Sequence, residues 1–256
     1  MNLQTKVGTY EFIAEPFHCD FSHRLFMGHL GNHLLNAADY HSNDRGFGMN
    51  YLNLLHKTWV LSRLAVEMTD MPKAYEHFEV DTWVDNALRY FTNRNFAIHG
   101  KDGKVYGYGR SVWALIDTES RQPTDLFAIH DGLISEYIDT ETPCPIAKSG
   151  RVKMSDKAEY VRTIDTYYND VDVNGHVNSV KYIEHVLDLF TIDWYKTHRI
   201  SRFEVAYVAE SHGGDRLSFW REEVGEGEFN IRIDKETGTE GQCVEVCRCK
   251  VNFVKD

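Results

Sequence analysis

The chain has 256 residues, 42% hydrophobic and 13% aromatic, so it can bury one ordinary core or two small ones. Its 28 Lys and Arg against 39 Asp and Glu give a net charge of −11, which disfavours nucleic acid and anionic membrane surfaces as partners. The opening Met1–Lys6 has no apolar run behind a basic start, and no apolar run reaches about eighteen residues, so we expect a cytoplasmic protein with no membrane span.

The first half begins with a predicted helix, because apolar residues recur between Leu25 and Ala38. Segments dense in β-branched and aromatic residues follow and predict strands near 58–68, 76–85, 91–99 and 104–117. Residues 120–156 then hold three of the five prolines of the chain, Pro123, Pro143 and Pro145. This composition is typical of a linker between two domains.

The second half contains the clearest helix pattern. From Val180 onward apolar residues recur at spacings of three and four, at Ile183, Val186, Leu187, Phe190 and Trp194. Either Asn174 or Asn178 is a candidate N-cap. Strands are predicted near 202–209, 215–224, 228–235 and 243–254, separated by Gly213-Gly214, Gly225-Glu226-Gly227 and Gly238-Thr239-Glu240-Gly241.

Cysteine usage predicts no special chemistry. The five cysteines form no Cys-x-x-Cys pair, and Cys243, Cys247 and Cys249 share one parity in a predicted strand. One face of that strand is therefore expected to carry all three thiols. Because free cysteine is readily buried, we expect small hydrophobic side chains in a reducing compartment, and predict no disulfide, metal or cofactor.

The two halves share the order of a strand, a helix and an antiparallel meander. Asn95-Phe96-Ala97-Ile98 runs into the turn Lys101–Lys104, as Asn230-Ile231-Arg232-Ile233 runs into Lys235–Gly238. A helix covered by an apolar sheet face predicts an α+β fold of two tandem hotdog repeats, each a long helix wrapped by a curved antiparallel sheet. Joining the sheets into one continuous sheet would hide their open edges. The predicted domains are 1–120, a linker 121–156, and 157–256.

Polar side chains of three kinds alternate before the second helix, at Asp172, Asn174 and His176. In an extended lead-in they would point toward one side. The helix start also supplies free backbone N–H groups, which favour an anion or a polarised carbonyl. On its own, the segment is also compatible with a polar turn, an Asn cap and a solvated His.

A wider set of motifs resembles one family. Asp-x-Asn-x-His-Val-Asn at 172–178, followed by Tyr182, resembles the second-half motif of acyl-acyl carrier protein (acyl-ACP) thioesterases, the plant plastid enzymes and their bacterial relatives. The segments 79–84, 94–96 and 111–121 are similar to the first-half signature, so the resemblance spans roughly residues 10 to 250. It implies hydrolysis of a fatty acyl thioester held on the 4'-phosphopantetheine arm of acyl carrier protein, with release of the fatty acid. It also implies one catalytic centre, in the second half, and a first half that shapes the acyl pocket.

One position departs from the family pattern. The plant enzymes carry a Glu-Cys pair after the helix and the next strand, and the Cys is often assigned to the catalytic network. Here the pair is Glu210-Ser211. Because a serine hydroxyl is a far poorer nucleophile than a thiol without a base against it, we expect direct attack by water, with or without participation of Ser211.

Roles for the polar residues follow from this expectation. Glu210 or Asp172 takes the proton from water, and we favour Glu210 as base with Asp172 fixing His176. Asn174 orients water or substrate, and a backbone N–H near Gly175 or His176 holds the thioester carbonyl.

The partner surface and three other functions remain open. Arg199 and Arg202 form a basic cluster at the expected end of the catalytic helix, where they either dock an acidic carrier protein or complement the helix dipole. The alternatives are an acyl-CoA thioesterase, a hotdog hydratase or dehydratase, and a non-catalytic acyl-binding double-hotdog protein. The sequence leaves acyl length, and a monomer or a homodimer, open.

Overall fold

The computed structural model describes residues 4–238 and 241–255 and divides into two compact units, with the boundary between Lys148 and Ser149. Residues 1–3, the start of the opening segment, and Thr239 and Glu240 of a predicted turn lie outside the described residues. Within the described part, no helix is long and apolar enough to cross a membrane.

The first unit contains one long helix and an antiparallel sheet of order β1-β3-β4-β5-β2. Its elements in chain order are β1 (Gly8–Ile13), a 3-10 helix (Pro16–His18), α1 (Met27–Asp44), α2 (Met49–Leu52), a 3-10 helix (Asn53–Leu55), β2 (Lys57–Met68), β3 (His77–Ala87), β4 (Phe91–Gly100) and β5 (Val105–Asp117). The four strands predicted for this half are present, each within about two residues of its expected limits.

Apolar spacing explains how α1 packs. Met27, Leu30, Leu34 and Ala38 recur every three or four residues and are buried, which gives the helix one apolar face against the sheet. Residues beyond 120 add to the core of this unit, because the 3-10 segment Leu126–Tyr137 buries four side chains in a cluster with residues of α2 and β5. The domain boundaries expected from the sequence, with repeats at 1–120 and 157–256 and a linker at 121–156, stay predictions.

The second unit repeats the topology of the first, with sheet order β6-β8-β9-β10-β7. Its elements are β6 (Glu159–Asp165), a 3-10 helix (Tyr168–Asp170), α3 (Ser179–Leu187), α4 (Ile192–Tyr195), β7 (His198–Tyr207), β8 (Arg216–Gly225), β9 (Glu228–Glu236) and β10 (Cys243–Lys255). The helix α3 contacts the sheet through Tyr182 against Tyr207 and through His185 against Phe219. The prediction of an α+β fold with two hotdog repeats is confirmed.

The continuous helix predicted from Val180 to Trp194 is wrong. The helix α3 ends at Leu187, and α4 starts afresh at Ile192, where the Thr191 side chain accepts a hydrogen bond from the Trp194 N–H. A Thr N-cap satisfies a free donor and so favours a new helix start. Phe190, in the break between the helices, packs its ring against Phe229 and Phe253 at 4.9 and 4.8 Å. The apolar spacing reflects this aromatic cluster rather than one helix.

The cysteine prediction is also wrong in part. Cys247 and Cys249 are buried, but Cys243 is exposed. The pairing of β10 with β9 shifts register between Glu245 and Cys247. Such a bulge inserts one residue into the strand, so Cys243, which precedes it, faces the opposite side of the sheet from Cys247 and Cys249. All five cysteines are free thiols.

Candidate active site

The segment before α3 is a tight turn. The Gly175 N–H donates to the Asp172 carbonyl at 3.0 Å, and the Asp172 N–H donates to the His176 carbonyl at 2.9 Å. The Asp172 carboxylate accepts the Asn174 N–H at 2.8 Å, and Gly175 closes the turn in the left-handed region with φ of 79°. The expected extended lead-in, with three side chains pointing to one side, is therefore wrong.

Three hydrogen bonds of the residues that flank this turn, Asp170 and Asn178, fix it to α3. The Asn178 side chain accepts the Val180 N–H at 2.9 Å, so Asn178, rather than Asn174, is the N-cap. The Asn178 N–H donates to the Asp170 carbonyl at 2.8 Å, and the Asp170 carboxylate accepts His185 Nε2 at 2.9 Å. The turn is thus tied to both the first and the second turn of the helix.

A second loop, residues 208–215 between β7 and β8, brings a carboxylate to the turn. The Val177 N–H donates to the Ser211 carbonyl at 2.7 Å. His176 Nε2 then lies 3.3 Å from Glu210 Oε2, with the two side chains 25% and 38% exposed. The structure therefore brings His176 together with Glu210, while the Asp172 carboxylate is used within its own turn.

Ser211 is next to this pair in sequence but points elsewhere. It is 1% exposed, and its hydroxyl faces the Tyr182 phenol, whose pKa burial raises above its ordinary value. Among the described residues, neither hydroxyl has a hydrogen-bond partner of ordinary geometry. No base lies against the Ser211 hydroxyl in this part of the chain, so it lacks the activation that a serine nucleophile needs.

Two residues that the sequence did not predict lie at the site. His212 places its ring edge-to-face with that of His176, with centroids 4.9 Å apart. Lys235 donates from Nζ to the Glu210 carbonyl at 2.8 Å. The sequence contains a signal for each of them. His212 directly follows the Glu210-Ser211 pair, and Lys235 is the one charged residue in the series of alternate residues 229, 231, 233 and 235, whose other members are apolar.

Arg199 and Arg202 were predicted at the end of a helix, and this prediction is wrong, because both lie in the strand β7. Arg202 Nε donates to Glu204 Oε1 at 2.8 Å, with the two side chains 11% and 9% exposed. Arg202 is thus part of a largely buried ion pair. Over residues 4–238 and 241–255, no cluster of His, Cys, Asp and Glu has an arrangement that would hold a metal ion.

The first unit contains the same turn without the same chemistry. The Asp20 N–H donates to the Arg24 carbonyl at 2.8 Å, the His23 N–H donates to the Asp20 carbonyl at 2.9 Å, and the Asp20 carboxylate accepts the Ser22 N–H at 2.7 Å. His23, with φ of 62°, occupies the position of Gly175. An aspartate thus shapes the turn in both units, and Arg24 stands where the second unit has His176.

The loop that carries Glu210 also has a counterpart. The Leu25 N–H donates to the Pro72 carbonyl at 2.9 Å, as the Val177 N–H donates to that of Ser211. Pro72 therefore corresponds to Ser211, and Met71 stands where the second unit has Glu210. At these two positions, therefore, the second unit has an imidazole and a carboxylate, and the first unit has Arg24 and Met71.

Two plant relatives match much of the chain. A palmitoyl-acyl carrier protein thioesterase of Gossypium hirsutum is 28% identical over 231 residues, which cover 80% of this chain and 55% of that protein. An oleoyl-acyl carrier protein thioesterase of Coriandrum sativum is 24% identical over 270 residues, which cover 96% of this chain and 70% of that protein. The chain thus spans about half to two thirds of the length of these chloroplastic proteins.

Solved structures and family models agree with these matches. An acyl-ACP thioesterase of Bacteroides thetaiotaomicron is 55% identical, covers 97% of this chain and 98% of its own, and superposes with a TM-score of 0.88. The 12:0-ACP thioesterase of Umbellularia californica, at 20% identity and a TM-score of 0.85 over 100% of both chains, shares the fold. The acyl-ACP thioesterase N-terminal domain matches residues 6–137 and the C-terminal domain residues 153–252. With both domains present in order, the chain belongs to the acyl-ACP thioesterase family.

Proposed function

We propose that this protein hydrolyses the thioester of fatty acyl-acyl carrier protein, releases the free fatty acid and so ends chain elongation. The contact of 3.3 Å between His176 Nε2 and Glu210 Oε2 carries the proposal. Attack of water on a thioester carbonyl needs a base for the proton and a donor for the developing oxyanion. A carboxylate beside an imidazole supplies the base.

In the proposed reaction Glu210 accepts a proton from water as the water oxygen bonds to the carbonyl carbon. The tetrahedral intermediate then expels the pantetheine sulfur, and the proton held by Glu210 passes to that sulfur, so the base is restored. His176 orients the carboxylate and shares the proton. The exposed Asn174 side chain orients the water or the substrate, the role predicted for it.

The other predicted contributions belong to the same proposal. The Gly175 N–H already donates to the Asp172 carbonyl, so it serves the turn, and the backbone N–H of His176 stays a prediction for the oxyanion. A base role for Asp172 and a role for Ser211 also stay predictions. The first unit shaping the acyl pocket and a cytoplasmic location complete the proposal.

The proposed hydrolysis is tested with a series of acyl chain lengths, each supplied as a thioester of acyl carrier protein and as a thioester of coenzyme A. Release of the free thiol is the measurement. We expect turnover of the carrier substrates with the higher kcat/KM, and a loss of about 10² for Glu210→Gln. Preference for coenzyme A thioesters would point to an acyl-CoA thioesterase. Acyl carrier protein that binds without turnover would point to a non-catalytic protein.

Carrier docking at Arg199 and Arg202 needs a separate test, because Arg202 forms an ion pair with Glu204. Arg199→Glu should raise KM for acyl carrier protein and leave a small acyl-pantetheine unaffected if this position docks the carrier. Arg202→Glu should place two carboxylates together and lower stability, with equal losses on both substrates. Unchanged KM in Arg199→Glu would place the docking surface elsewhere.

A further inference from the structure

Lys235 occupies an unusual place for a lysine. In β9 the side chains of Phe229, Ile231 and Ile233 are buried, and Lys235 has the same parity. It is only 19% exposed. Burying an ammonium is costly unless it is partnered, so the groups around Lys235 explain why it is tolerated there.

The partners of Lys235 lie at both ends of one short loop segment. Its ammonium donates to the Glu210 carbonyl at 2.8 Å and lies 3.1 Å from Asp215 Oδ2. The same Asp215 oxygen accepts the His212 N–H at 2.8 Å. One ammonium therefore links the residue that carries the proposed base to the end of the loop.

A different residue fixes the remainder of this loop. The buried Thr166 donates its N–H to the Asp215 carbonyl at 2.9 Å and its hydroxyl to the His212 carbonyl at 2.7 Å, and it accepts the Gly214 N–H at 3.0 Å. These contacts hold residues 212–215. These hydrogen bonds of Thr166 end on residues 212–215, whereas the Lys235 ammonium donates to the Glu210 carbonyl itself.

The first unit is an internal control, because it forms the same loop. The Ala14 N–H donates to the Glu76 carbonyl at 2.9 Å, the Tyr75 N–H donates to the Ala14 carbonyl at 2.8 Å, and the Glu76 carboxylate accepts the Lys73 N–H at 2.8 Å. These three bonds match the backbone hydrogen bonds of Thr166 and Gly214 and the bond from His212 to Asp215, and only the Thr166 hydroxyl has no counterpart, since Ala14 takes its place.

The control lacks the lysine. Because Glu76 corresponds to Asp215, Phe78 corresponds to Leu217 two residues later. The pairing of Phe78 with Gly100 and of Leu217 with Lys235 then makes Gly100 the counterpart of the lysine. The loop thus folds with glycine at this position, and the lysine is present only in the unit that has Glu210.

We propose that Lys235 is a positioning residue for Glu210, which keeps its backbone fixed so that the carboxylate stays against His176. The inference rests on the proposed function. Lys235 contacts the carbonyl of Glu210 and the Asp215 carboxylate, so it acts through Glu210 and not on the substrate. Holding a catalytic group in place changes the rate of the chemical step rather than substrate binding.

Lys235→Met tests this, with Lys250→Met as the matched control, since Lys250 also forms an ion pair on this sheet, 3.0 Å from Glu228. We expect a loss in kcat of about tenfold or more for Lys235→Met, KM within about twofold, and wild-type rates for Lys250→Met. Lys235→Arg, which keeps a donor, should recover most of the rate. In a Glu210→Gln background, Lys235→Met should cost little more.

Stability is measured in parallel by urea unfolding, and Lys235→Ala, which also removes the donor, is the second variant should Lys235→Met not fold. Three results would overturn the inference and leave the hydrolase assignment intact. They are wild-type kcat in a folded variant without the ammonium, a raised KM with unchanged kcat, and no recovery of kcat in Lys235→Arg. A wild-type protein that hydrolyses no acyl carrier protein substrate would overturn the proposed function, and this inference with it.

Discussion

The His176 and Glu210 pair allows a prediction that separates activity from stability. Its atoms are 3.3 Å apart, and its side chains are 25% and 38% exposed, so solvent screens the attraction. An ion pair of this exposure contributes at most about 1 kcal/mol to the free energy of unfolding. Glu210→Gln and His176→Asn should therefore unfold at nearly wild-type urea concentrations.

The effect on activity should be far larger. Removal of a positioned general base costs about 10² to 10⁴ in rate, equivalent to about 3 to 5 kcal/mol of activation free energy. Because imidazole and carboxylate act on one proton, the double variant should be no slower than the slower single variant. The coupling energy between the two sites should thus be nearly as large as the smaller single loss.

Single-turnover hydrolysis of an acyl carrier protein thioester measures this, beside urea unfolding of each variant. Glu184→Gln is the control, because it removes an ion pair with Lys181 of 2.7 Å and similar exposure, 30% for each side chain, on the adjacent helix. It should leave the rate unchanged. Losses that multiply in the double variant, or rates that follow stability in all the variants, would refute the assignment of these residues as one catalytic pair.

Three further outcomes are expected. Asp172→Ala loses the hydrogen bond from the Asn174 N–H and should lower stability by about 1 kcal/mol. Asp20→Ala loses the equivalent bond and two more, from the Ser22 hydroxyl and the Arg24 N–H, and should lower stability further. Only Asp172→Ala should slow turnover, and a loss as large as that of Glu210→Gln would make Asp172 the base. Ser211→Ala should keep most of the activity, and an acyl ester trapped on Ser211 and detected by mass spectrometry would contradict attack by water. Burial, together with the nearby Arg94 and Arg45, lowers the pKa of His41 to about 2. Below the unfolded pKa of about 6.5 the unfolded chain therefore binds a proton that the folded chain does not, so stability should fall by about 1.4 kcal/mol per pH unit as pH decreases. Urea midpoints at pH 7.5 and pH 5 should show a smaller difference in His41→Gln, and equal differences would exclude His41 as the cause.

The sequence predicted the strands better than the helices. Glycine turns and β-branched segments mark strand limits locally, and eight predicted strands lie within a few residues of their observed positions. The break between α3 and α4 was not predicted, because Phe190 and Trp194 satisfy a helical spacing whichever way the chain turns between them. The position of the break depends on the aromatic cluster that Phe190 and Trp194 form with Phe229 and Phe253, which lie about 40 and 60 residues away in sequence.

The site was predicted in composition but not in conformation. Alternating polar residues suggested an extended segment, whereas Gly175, with a positive φ, turns the chain back on itself. The contact between His176 and Glu210 joins two segments that periodicity cannot relate, and only the family resemblance placed both residues in one site. Lys235 was missed because the partner of an inward lysine depends on the register of β8 against β9.

The two units together separate the chemistry from the scaffold that holds it. Both form the turn with equivalent hydrogen bonds and a left-handed residue at the same position, His23 or Gly175, although one contains Arg24 and the other His176. Since the first unit adopts this backbone with Arg24 and Met71 at the two positions, the backbone of the turn does not depend on the His176 and Glu210 pair. The pair is therefore free to be selected for reactivity, at little cost to folding, and a second repeat can keep the same turn while serving another purpose.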